Sequence, residues 1–145
     1  MEGQTIALLG LALCVILCGS GSSFALWRTG TAAAGVLSED GKKFSKVLVL
    51  SVLPATQGIY GFVLAILGAG GLEATMTAAQ GWGVFFAVLP LTIVGCLSAI
   101  LQGLTSVSGI LALSKNETIS GKLILFPAMV ETYAILALVI SIMLL

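Results

Sequence analysis

Glu131 is the only charged residue between Leu123 and Leu145, a run that is otherwise almost wholly apolar. At about 1.5 Å per residue, a helix of that length crosses a bilayer. A carboxylate at such depth costs roughly 2.5–3.5 kcal/mol on insertion scales, so it needs a partner or a proton. Acids placed in this way serve ion pathways and proton relays; the bland alternative is a carboxyl kept protonated for packing. Thr56, Gln57 and Tyr60 form a second polar group in an apolar run, and Gln102 stands in a third beside Gly103. A buried Gln costs free energy unless its amide is paired, and a single one serves as a bridge between helices. Two Gln, one Thr and one Glu at similar depth suggest a site.

Depth follows from counting. Glu131 lies nine residues beyond Lys122 and Gln57 eleven beyond Lys46, which puts each roughly 14–17 Å from the basic edge. Gln102 is thirteen residues before Lys115, about 20 Å, in a run long enough to project past that edge. The three can meet near mid-membrane. Their atoms are carboxylate, amide and hydroxyl oxygens, with no imidazole or sulfur beside them. Hard oxygens suit hard cations, and one carboxylate matches Na⁺ before Ca²⁺. A proton needs only the acid, so the extra oxygens favour a metal ion. Tyr60 can hydrogen-bond the carboxylate. Pro54, Pro90 and Pro127 free the carbonyls of Leu50, Phe86 and Leu123, and distorted backbone is tolerated in membranes where it lines a site.

Of the 145 residues, 59% are hydrophobic and 8% charged, against about 25% charged in soluble domains. The chain is an integral membrane protein. Zero net charge without basic clusters argues against nucleic-acid binding, and the absence of His removes the commonest catalytic base and metal ligand. Cys14, Cys18 and Cys96 lie in apolar runs and read as small buried hydrophobes. The start, Met1-Glu2-Gly3-Gln4, lacks a positive leader, so the first span is expected to stay.

Four helical spans position the site: about 5–34, 46–68, 81–113 and 121–145. They lack the alternation of barrel strands. Short polar turns at Ser38–Lys43 and Ser114–Thr118 make two antiparallel hairpins, 1–68 and 81–145, joined by a glycine-rich connection over 69–80. Arg28, Lys42, Lys43, Lys46, Lys115 and Lys122 all fall at the short-turn ends, so those turns are expected in the cytoplasm and both termini outside. Pairing Pro54 with Pro127 aligns Ala55 with Ala128 and Tyr60 with Tyr133, and an offset of 74 pairs Gly21 with Gly95 and Ala25 with Ala99. The hairpins read as a duplication. It is unequal at one place, where Gly58 stands opposite Glu131. Gly21, Ala25, Thr29 and Ala33 line one face of span one, and Gly95, Ala99 and Gly103 one of span three, as close helix packing requires.

Leu-Pro-Ala-Thr-Gln-Gly-Ile-Tyr-Gly-Phe (53–62), Leu-Gln-Gly (101–103) and Pro-Ala-Met-Val-Glu-Thr-Tyr-Ala-Ile-Leu (127–136) resemble the rotor-ring proteolipids of V-type ATPases. The bacterial Na⁺-translocating kind is the one they resemble in particular, and the resemblance covers all four spans. It implies a homo-oligomeric ring of identical subunits with spans one and three inside. It implies a Na⁺ site made by the Leu53 carbonyl, Thr56, Gln57, Gln102 and Glu131, with Tyr60 as cap. Leu53 is not among the carbonyls that the prolines free. The further implied partners are a stator protein bearing an Arg, central-stalk subunits and membrane lipid, in a bacterial plasma membrane. No Gly-Lys-[Ser/Thr] phosphate loop is present, so ATP is expected to bind elsewhere. The alternatives are a proton rotor, a small cation-coupled multidrug antiporter, and a purely structural four-span protein.

Overall fold

The computed structural model describes residues 2–145; Met1 lies outside them. Among the described residues there is helix and turn but no strand. Lipid offers the backbone no hydrogen bonds, so an apolar chain must satisfy its own by coiling. Four runs are long and apolar enough to cross a membrane: Glu2–Glu39, Gly41–Gly70, Ala78–Lys115 and Glu117–Leu144.

The first run is one helix, α1 (Glu2–Glu39), and the third is another, α4 (Ala78–Lys115). A reciprocal cap starts α4, with the Thr77 and Gln80 side chains each bonding the other's backbone N–H. The second run is interrupted. α2 (Phe44–Val52) gives way to a single 3-10 turn at Leu53–Ala55 before α3 (Thr56–Gly70). The fourth run breaks at Ile124, between α5 (Ser120–Leu123) and α6 (Leu125–Leu144). Both breaks sit at or just before a proline, as the loss of an N–H requires. Pro90 does not break α4.

α1 and α4 run parallel and form the spine of the molecule. Gly3 faces Gly81, Gly10 faces Phe85, Gly21 faces Cys96 and Ala25 faces Gly103. A Cβ on Gly21 would come 2.7 Å from the Cys96 carbonyl oxygen, so glycine sets the separation of the backbones. α3 lies against α1, α4 and α6, whereas α6 packs chiefly on α4. Two apolar clusters divide the interior. Leu11, Cys14, Cys18, Leu64, Val88, Leu91 and Ala137 form one, and Ala33, Val36, Val47, Leu50, Ile110 and Leu113 the other. The buried cysteines sit in the first cluster as apolar packing. A polar layer separates the two.

At the basic end the two short turns are tied together. Lys46 Nζ donates to Glu117 Oε2 at 2.8 Å, Lys43 Nζ donates to the Ser114 carbonyl at 3.0 Å, and Lys43 also lies 3.7 Å from Glu117.

Candidate ion site between α3, α4 and α6

The polar layer is one connected set. Gln57, at the start of α3, and Gln102, in mid-α4, are both fully buried. Gln57 Nε2 donates to Gln102 Oε1 at 2.6 Å. Gln102 Nε2 donates in turn to the Pro127 carbonyl and to Glu131 Oε2, each at 3.1 Å. The other carboxylate oxygen, Oε1, accepts from the Tyr60 phenol at 2.7 Å. Thr56 Oγ lies 3.3 Å from Gln57 Oε1 and donates to the Leu53 carbonyl at 3.1 Å. The six residues singled out from the sequence therefore form one chain of contacts running from Leu53 through Thr56, Gln57, Gln102 and Glu131 to Tyr60.

Local structure explains how the second span contributes four of them. Tightening the backbone at Leu53–Ala55 turns Thr56 N–H onto the Leu53 carbonyl. Thr56, Gln57 and Tyr60 then follow at the start of a regular helix. Gln57 points inward, while Thr56 and Tyr60 lie half-buried nearer the surface, as does Glu131. The carboxylate thus sits at the rim of the four-helix unit, with the two amides behind it. Leu53 is the outlier. Both lone pairs of its carbonyl are already engaged by Thr56, one by the N–H and one by the O–H.

Ser98 belongs to the layer as well and was not singled out from the sequence. It is 4% exposed, donates to the Val130 carbonyl at 3.1 Å and accepts from Gln57 Nε2 at 3.3 Å. Its place one turn before Gln102 is the only sequence signal for it. In the first hairpin the position opposite Glu131 is closed. Gly58 N–H donates to Ser22 Oγ at 2.8 Å, and a Cβ there would come 3.2 Å from the same oxygen. Among the described residues no three His, Cys, Asp or Glu side chains gather as a metal site. Any cation in the layer must be held by one carboxylate and neutral oxygens.

Four membrane-length helices, built as two hairpins around one carboxylate and two buried amides, are the parts of a rotor proteolipid. The chain belongs to the ATP synthase C-subunit family, whose sequence model matches residues 9–68 and again 85–144. The double match is the duplication seen in the offsets above. The chain is 42% identical to the V-type sodium ATPase subunit K of Enterococcus hirae over 98% of its own length and 91% of that protein. It is 39% identical to the A-type ATP synthase subunit K of Methanocaldococcus jannaschii over 94% of its length, and spans 60% of that longer protein. It is a membrane rotor subunit of a V/A-type ATPase, not a catalytic one. Membership implies a ring of like subunits that works with a stator subunit and a stalk.

Proposed function

We propose that this rotor protein transports Na⁺, one ion per chain, on Glu131. The observation that carries the reading is the layer itself: a lone carboxylate wired to two fully buried amides between two apolar clusters. Holding a proton requires the acid alone, and burying two Gln side chains costs free energy unless their polar atoms are used. The carboxylate, the Gln57 carbonyl oxygen and the Thr56 hydroxyl supply hard ligands to a monovalent cation, and Gln102, whose oxygen accepts from Gln57 and whose NH₂ donates to Glu131, adds its carbonyl through the second lone pair. The Leu53 carbonyl is the weakest member, since Thr56 occupies it. Tyr60 caps the carboxylate from the rim. Likeness to the E. hirae sodium ATPase subunit adds support.

With the ion aboard, the site is neutral and can pass the lipid face of the ring. At a stator Arg the ion is displaced and the carboxylate pairs with the guanidinium. Each charge moved against 100 mV is worth about 2.3 kcal/mol, drawn from or returned to the soluble ATPase subunits through the stalk. The two short turns face the cytoplasm of a bacterial cell and the termini face outward, because all six basic residues cluster at the turn ends.

One observation favours a proton rotor instead: the two amides already satisfy one another and the Pro127 carbonyl. Carbodiimide labelling of Glu131 at fixed pH separates the readings, since the reagent attacks protonated carboxyls. Protection by Na⁺ and not K⁺, lost in Gln102→Ala, is the expected result. Labelling indifferent to Na⁺ makes this a proton rotor and leaves the amides to packing.

A further inference from the structure

The direction of each hydrogen bond around Gln57 can be traced back to a backbone carbonyl, which only accepts. Ser98 Oγ lies 3.1 Å from the Val130 carbonyl, so its single hydrogen is committed there. With that hydrogen used, Ser98 can only accept from its other neighbour. The group of Gln57 facing it at 3.3 Å must therefore be the NH₂. The second hydrogen of the same NH₂ is fixed independently. The Pro127 carbonyl orients the Gln102 amide at 3.1 Å, which turns Gln102 Oε1 toward Gln57 Nε2 at 2.6 Å. Both Gln57 hydrogens point into α4, so its carbonyl oxygen faces Thr56 and the rim. A Gln57 amide rotated by half a turn would put its hydrogens, in place of its oxygen, beside Thr56.

We infer that Ser98 is a positioning residue for ion binding: by spending its hydrogen on Val130 it holds the carbonyl oxygen of Gln57 toward the cation. The inference rests on the Na⁺ reading above. It assigns part of the affinity for Na⁺ to a side chain that need not touch the ion. Ser98 acts on the amide and on the α6 backbone next to Glu131, and it neither donates to nor accepts from the carboxylate.

The test uses the assembled ATPase in native membranes, with Glu131 labelling by carbodiimide at fixed pH and increasing NaCl. Ser98→Ala is expected to raise the Na⁺ concentration for half-protection about tenfold, the equivalent of one hydrogen bond. The labelling rate without Na⁺ is expected to stay at the wild-type value, because the carboxylate keeps its own partners. Ser98→Thr retains the hydroxyl and is expected to restore protection. A merely structural Ser98 would move the Na⁺-free rate along with protection, or move neither, and either result overturns the assignment. Thr behaving as Ala overturns it too. If wild type itself ignores Na⁺, the sodium reading falls and this inference with it. If wild type responds to Na⁺ and Ser98→Ala responds identically, this inference falls alone.

Discussion

The Tyr60 phenol and the Gln102 amide divide the two oxygens of Glu131 between them, at 2.7 and 3.1 Å. Hydrogen bonds to a charged acceptor contribute about 1.5–3 kcal/mol each. Tyr60→Phe removes one of them and keeps the ring. On the sodium reading proposed above, it is expected to raise the Na⁺ needed to protect Glu131 by about tenfold or more, measured by labelling, with expression and assembly unchanged. The acid, both amides, the threonine and the tyrosine were legible in the sequence because polar side chains in apolar runs are outliers. Ser98 was not. A Ser or Thr within a helix commonly bonds the carbonyl one turn back, as Ser51 does to Val47 and Thr92 to Val88. Nothing in the sequence separates those from a serine that reaches across to Val130.

Helix number and the hairpin pattern were legible too, since composition and run length dictate them in a membrane. The outcome at each proline was not. Pro54 and Pro127 interrupt their helices, yet Pro90 leaves α4 continuous. Beside Pro90 the chain bonds to neighbouring helices: Leu91 N–H donates to Ser141 Oγ of α6 at 3.3 Å, and the Leu91 carbonyl accepts from Cys18 of α1 at 3.4 Å. Only packing reveals that. Between α1 and α4 the small residues work as spacers. Gly21→Val places atoms against the Cys96 backbone, with the nearest contact already 2.7 Å for a Cβ alone. It is expected to destabilise the solubilised protein by about 1–3 kcal/mol in thermal unfolding. Gly19→Ala, whose added Cβ would meet no other part of the chain within 4 Å, is expected to change little in the same assay.

Across the molecule, the ion pairs at the turns join two hairpins that are also held by apolar packing and by the polar layer. The hydrogen bond from Lys46, aided by the nearby charge of Lys43, holds the Glu117 carboxyl below its ordinary value of 4.5. A depressed carboxyl contributes above that value and loses its contribution as pH falls through the lowered one. Spin labels placed on the two turns should therefore report a broader distance distribution as pH falls through that lowered value. High salt at neutral pH is expected to do the same, as is Glu117→Gln, because the pair is exposed. The closed position at Gly58 bears on a different property. On the reading proposed above, each chain loads one ion for every four helices, where a ring with an acid in each hairpin would load two. For a given number of helices and a given work per revolution, half as many ions share that work, so twice the free energy stands behind each. The rotor is geared low: it moves less cargo per turn and holds it against a steeper gradient.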